Sequence, residues 1–171
     1  RSRSCGEVFC LDHIHFDVTT GSPTFAEGTL FYDNVNKTLA VYNQEPDITL
    51  QIGQEQWIRV YNGTASTIGN GKPVYISGTN SGWPTIALAN ANSVNTYNAV
   101  GLATHDIEAG TYGYVTTKGV VRGLNTSNLI TGGYVHVGPS DGVLQLTAAT
   151  YPNFPHEIGI CVVSDATDGS I

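Results

Sequence analysis

Between Asn98 and Gly123 the chain sets apolar against polar residues at a period of two, and this spacing restricts the fold more than any other feature. Two runs, Ala99-Val100-Gly101-Leu102-Ala103 and Tyr112-Gly113-Tyr114-Val115-Thr116-Thr117, flank a polar link from His105 to Gly110. In an extended backbone Tyr112, Tyr114 and Thr116 share one face while Gly113, Val115 and Thr117 take the other, as a half-buried strand requires. Val120-Val121-Arg122, bracketed by Gly119 and Gly123, predicts a further strand. The stretch carries no nucleophile paired with a base, no phosphate loop and no metal-ligand spacing. It reads as scaffold.

The same grammar runs along the chain. Leu11 to Val18 alternates, with Ile14, Phe16 and Val18 on one side and His13, His15 and Asp17 on the other. Gly28 to Tyr32 and Thr38 to Tyr42 predict a hairpin joined through Asp33 to Lys37, and Ile48 to Ile52 alternates again. Beyond Gln56 come Trp57 to Tyr61, closed by the turn dipeptide Asn62-Gly63, then Lys72 to Ile76, Thr85 to Ala89, Tyr134 to Gly138, Val143 to Leu146 and Ile158 to Val163. Leu124 to Ile130 has room for one helical turn, but no segment sustains an apolar period of 3.6. The chain is therefore predicted to be all-β. We expect a small antiparallel β-barrel or sandwich over residues 56–171, preceded by an attachment arm and an extended N-terminal β-hairpin region over residues 1–55. The N-terminal strands are too short and too sparse in apolar side chains for a core of their own, and are expected to pair with another chain or lie against one.

Charge narrows the function classes. Charged residues make up 12% of the 171, about half the usual share of about 25%, and Gly, Thr, Asn and Ser take the difference. The formal net charge is −7, and Lys37, Lys72, Lys118, Arg59 and Arg122 lie singly, so no phosphate-binding patch forms and no nucleic-acid partner is expected. No apolar run reaches the roughly 20 residues of a membrane-spanning helix, so no membrane partner is expected either. The first residues lack a secretory pattern and an initiator Met, so the chain is expected to be processed or part of a longer protein. Three cysteines make no disulfide framework. Cys161, inside Gly159-Ile160-Cys161-Val162-Val163, is expected to be a small buried apolar residue. Cys5 and Cys10 are candidates for free thiols, an internal bridge or inter-chain disulfides.

At a longer scale, residues 51–62 (Gln51-Ile52-Gly53 through Trp57-Ile58-Arg59-Val60-Tyr61-Asn62) and residues 67–78 (Thr67-Ile68-Gly69-Asn70-Gly71-Lys72-Pro73-Val74) form one continuous signature. It continues in residues 100–107, 113–119 and 121–126, and the pair Ala26 to Asp33 and Lys37 to Leu39 precedes it. Together these segments cover most of residues 11–164. The pattern resembles a module of tailed-bacteriophage virion structural proteins, the tail-fibre-like, head-fibre and capsid-decorating β-domains. The resemblance implies a small β-domain on a homotrimer that assembles with other phage virion proteins and resides in the virion. It implies neither a cofactor nor catalytic residues, so no enzyme activity is expected. Position on the particle stays open between a tail or head fibre and a capsid decoration or cement protein.

Individual residues offer a few chemical alternatives. His13 and His15 would sit on one side of a strand about 7 Å apart. Three copies around an axis would present six imidazoles, enough for an octahedral inter-chain metal site resembling the iron-bearing tips of some phage fibres. Two exposed polar residues on a strand explain the same pattern. His105-Asp106 is expected to be a link between strands, since no serine or cysteine nucleophile accompanies it. Trp83 and Tyr97 fall in loop-like contexts and are candidates for stacking against a host surface glycan, whereas Trp57 is expected in a core or interface. Asp141, Asp165 and Asp168 are turn acids that lack the spaced pattern of a calcium loop. A depolymerising hydrolase would need paired carboxylates in a groove, and the acids here fall mostly in turns.

Overall fold

A computed structural model describes residues 12–171. The chain is all-β, and among the described residues eleven strands form three sheets. Strands β1 (Leu30–Asp33), β2 (Thr38–Tyr42) and β3 (Thr49–Gln51) form an antiparallel N-terminal sheet. The β1–β2 turn is organised by Asp33, whose carboxylate accepts hydrogen bonds from the Val35 and Asn36 N–H groups at 2.8 and 3.0 Å and from the Asn36 side chain at 2.7 Å. Burial opposes ionisation of that carboxyl, but the hydrogen bonds outweigh it and hold Asp33 below the usual carboxylate range. Only Phe31, Ala40 and Tyr42 form the buried cluster of this sheet.

The centre of the molecule is a closed five-stranded barrel. Its strands are β4 (Gln56–Asn62), β5 (Pro73–Asn80), β6 (Trp83–Leu88), β7 (Gly101–Ala103) and β8 (Tyr112–Lys118), in the order β4-β6-β5-β7-β8. Four pairings are antiparallel, and the barrel closes through one parallel pair in which Tyr61 meets Thr85 and Asn62 meets Ile86. Closure removes the free edges that so short a sheet would otherwise expose. Alternation then sorts the side chains: Val60, Val74, Ile86, Ala103 and Val115 point inward with Ile68 and Ile107 from the loops, and all seven are buried.

Asn62, at the end of β4, is buried completely yet fully satisfied. Its amide nitrogen donates to Ser66 O (2.9 Å) and Ile107 O (2.8 Å), and its oxygen accepts from the Thr64 N–H (2.9 Å) and hydroxyl (2.7 Å). One side chain thus ties the end of β4 to the next turn and to the β7–β8 link.

A third sheet contains β9 (Tyr134–Val137), β10 (Leu144–Gln145) and β11 (Glu157–Ile160), in the order β10-β9-β11. Its buried side, with Val135 and Cys161, packs on Leu102 of β7 and on Val121, Leu124, Leu129 and Ile171. Cys161 is a free thiol in this core, as its apolar surroundings predict.

Two expected strands are absent. Residues 13–17 belong to no strand although they alternate, because alternation supplies a face but no backbone partner, and no strand of the described chain lies beside them. Residues 120–122 lie in no strand, and their one backbone exchange joins Val121 to Ile171, which bond each other at 2.9 and 3.1 Å. The stretch from Leu124 to Ile130 holds turns, and no helical turn forms.

Candidate binding face

The outer wall of the barrel along β4 and β8 is aromatic. Residues two apart on a strand share a face, so Trp57, Arg59 and Tyr61 project together beside Tyr112 and Tyr114 of the paired strand. Trp57 packs on Tyr114 with ring centroids 5.6 Å apart, and Tyr61 on Tyr112 at 5.3 Å. The Arg59 guanidinium lies 4.2 Å from the Tyr112 ring centroid and 4.9 Å from that of Trp83, a cation held between two aromatic faces. Gln44 accepts a long bond of 3.5 Å from the same guanidinium, so the N-terminal sheet meets the barrel at this ladder.

A groove of about 1440 Å³ opens where the N-terminal sheet and the barrel meet. Trp57, Tyr112 and His105 line it from the barrel side, Glu45 and Asp47 from the β2–β3 loop, and Arg122 closes one end. His105 sits over β8 because Gly113 leaves room: a Cβ there would come within 2.9 Å of His105 Nε2. The Tyr114 N–H donates to His105 Nε2 at 3.2 Å, which requires that nitrogen to be unprotonated. His105 Nδ1 faces Glu45 at 3.9 Å, an arrangement that would favour the imidazolium. Burial is the larger influence and lowers the His105 pKa despite Glu45, so the ring is neutral at pH 7 and the contact is not an ion pair.

Of the five carboxylates that line the groove, Glu55 and Asp106 are engaged in structure, while Glu45, Asp47 and Glu108 accept no side-chain hydrogen bond among the described residues. Glu55 is buried and bonds Arg122 Nη1 at 3.1 Å. The Gln51 amide nitrogen, turned toward Glu55, donates to its two oxygens at 3.0 and 2.8 Å. Burial raises the Glu55 pKa, and the Gln51 N–H and Arg122 offset only part of that rise. Asp106 accepts the Asn70 N–H at 2.7 Å. Within the groove, then, His105 accepts from the backbone, Glu55 is paired with Arg122 and Asp106 holds a turn.

No family model, curated protein or solved structure matches the chain.

The residues singled out from sequence fall in separate places. His13 and His15 are exposed on the N-terminal segment, and no group of three potential metal-ligating side chains occurs among the described residues. Trp83 lies at the β5–β6 hairpin, 41% exposed, with Arg59 against its ring. Tyr97 lies in the loop that follows β6, whose length of about 17 Å separates Trp83 from the start of that loop, and packs on Phe154 at 5.2 Å and His156 at 6.1 Å. Trp83 and Tyr97 therefore do not share a site. Cys5 and Cys10 lie outside the described residues. His105-Asp106 is a link between β7 and β8, as expected.

Sequence reasoning missed the Arg59 stack and the Glu55–Arg122 pair. The first had a signal, since Trp57, Arg59 and Tyr61 alternate on one strand. The second joins residues 67 positions apart and had none.

Proposed function

We propose that the protein is a non-enzymatic structural component of a tailed-phage virion, a homotrimeric fibre-type protein of the tail or head that acts by assembly and display. The observation that carries this reading is the N-terminal region. Its sheet buries only three apolar side chains, and the segment leading to it leaves Ile14, Val18 and Phe25 exposed. Apolar surface of this kind, beside strands with unpaired edges, gains stability by being covered in an assembly. The low charge and dense turns agree with a display role, as does the resemblance of the sequence pattern to virion β-domains. A capsid decoration or cement protein that stabilises the head is the near variant of the same reading.

Light scattering on the purified chain tests it. A particle of about 54 kDa, three times the 18.1 kDa chain mass, is the expected result. A stable monomer at every concentration overturns it. Gold-labelled antibody on intact particles then distinguishes a fibre from a capsid coat.

The exposed Trp83, fixed by Arg59, favours a second reading as a receptor- or glycan-binding module, because exposed indole faces stack on sugar rings. Glycan-array signal abolished in Trp83→Ala supports this reading, and a blank array with the wild-type chain removes it.

A further inference from the structure

The groove between the N-terminal sheet and the barrel holds a donor left without a partner among the described residues. The His105 side chain is only 10% exposed, and because Nε2 accepts the Tyr114 N–H, the neutral ring carries its proton on Nδ1. Glu45 lies 3.9 Å from that nitrogen, beyond hydrogen-bond length. The Asp106 backbone favours the imidazolium less than Glu45 does, and it too takes no hydrogen bond from Nδ1 among the described residues. His105 lines the groove, and its Nδ1 is not one of the buried polar atoms that lack a partner, so the donor is reached from the groove.

The separation suits one oxygen between the two groups. An oxygen about 2.9 Å from Nδ1 and about 2.7 Å from the Glu45 carboxylate subtends an angle of about 90°, so a hydroxyl there accepts from the imidazole and donates to Glu45. The surroundings repeat that demand. Asp47 and Glu108 offer uncommitted acceptors on the same groove, and Trp57 and Tyr112 give it an aromatic wall. Two lining residues, Trp57 and Asn70, also keep a buried donor (Nε1) and a buried acceptor (Oδ1) without partners. At about 1440 Å³ the groove exceeds the roughly 300–1,000 Å³ of a pocket for a drug-sized ligand, and has room for several linked rings.

Charge then selects the class of ligand. Arg122 is the only Lys or Arg among the lining residues, and Glu55 holds it. A carboxylate or phosphate on the ligand would meet Glu45, Asp47 and Glu108 with no free cation to offset them. A polyamine would satisfy those carboxylates but brings no acceptor for the Nδ1 proton. A sugar hydroxyl both donates and accepts, and the C–H face of a pyranose packs against an indole or phenol ring.

We infer that this groove binds an oligosaccharide free of acidic groups, with one hydroxyl bridging His105 Nδ1 and Glu45 and a ring face against Trp57. The inference rests on the glycan-binding reading above for the kind of partner, and gives that partner a site apart from Trp83, which does not line the groove.

An array of neutral, amino-bearing and acidic oligosaccharides tests it, read with the wild-type chain and with Glu45→Ala, Glu108→Ala and Trp83→Ala. Signal is expected on neutral or amino-bearing sugars alone. It is expected to weaken about tenfold in Glu45→Ala, which loses a hydrogen bond to a charged group. Glu108 is exposed and its carboxylate accepts no hydrogen bond among the described residues, so a smaller loss in Glu108→Ala is free of any folding defect. The chain has two tryptophans, so Trp83→Ala leaves Trp57 as the only one. Its fluorescence in that variant is expected to shift on titration with the neutral or amino-bearing oligosaccharide that gives the strongest array signal. Signal confined to acidic sugars, or signal that withstands both carboxylate variants with Trp57 fluorescence unmoved, overturns the inference. Signal lost in Trp83→Ala but kept in the carboxylate variants also overturns it and leaves the Trp83 reading standing. A blank array overturns both.

Discussion

Replacing Asn62 by alanine removes four hydrogen bonds of 2.7–2.9 Å from a completely buried position. The cost follows from what the partners retain. Ile107 O still accepts the Ile68 N–H at 2.9 Å, and the single Thr64 hydroxyl proton, released from Asn62, can turn to Ser66 O 2.8 Å away, so neither carbonyl is orphaned. The loss is then the net worth of the bonds, about 0.5–1.5 kcal/mol each with the partly exposed ones at the low end, or about 2–3 kcal/mol in total. For a chain of this length that lowers Tm by about 5–10 °C. Asn62→Asp sharpens the reasoning. At pH 7 it sets a carboxylate oxygen where the amide nitrogen faced two carbonyl oxygens, and is expected to be less stable than Asn62→Ala. Its buried carboxyl has a folded pKa above the unfolded value of about 3.9, so stability is lost as pH rises from there and is regained on acidification. Differential scanning calorimetry at pH 7 and pH 4 reads both effects. A loss under 2 °C in Asn62→Ala, or Asn62→Asp matching wild type at pH 7, would refute the idea that this amide pins β4 to the β7–β8 link.

Three further outcomes follow from the same structure. His105 has a lowered folded pKa, so its contribution is complete above the unfolded value of about 6.5 and is lost as pH falls through the folded value; His105→Gln, which still accepts from Tyr114, should flatten that part of a Tm-versus-pH curve. Arg122→Ala leaves Glu55 buried beside Gln51 without its cation and should cost about 1–2 kcal/mol in urea unfolding at pH 7, reduced from a fully buried pair because half of the arginine side chain is exposed. Burial already raises the Glu55 pKa above 4.5, so the deficit should shrink toward pH 4 as the carboxyl takes up a proton, and an equal deficit at both pH values would count against the pairing. Gly101→Ala drives a methyl group into the Thr116 carbonyl and to within 2.8 Å of Val115, which should cost about 3 kcal/mol by forcing β7 away from β8; a variant with wild-type Tm would contradict that packing.

The all-β class and most strand positions could be read from Val60, Val74, Ile86 and Val115 with their alternating neighbours, because a period of two admits no helix. The turns were equally legible, as at Asp33 to Lys37, where Asp and Asn side chains bond the local backbone. These are short-range facts, and a residue carries them wherever it is placed. Pairing is different in kind. Closure through a parallel β4–β6 pair, the bond from Asn62 to Ile107 across 45 positions and the Glu55–Arg122 pair across 67 depend on which segments meet, and local spacing does not encode that choice. Asp12 to Val18 marks the boundary between the two. Its alternation supplies one apolar face, yet it lies in no strand, because a strand exists only when a second backbone completes its hydrogen bonds.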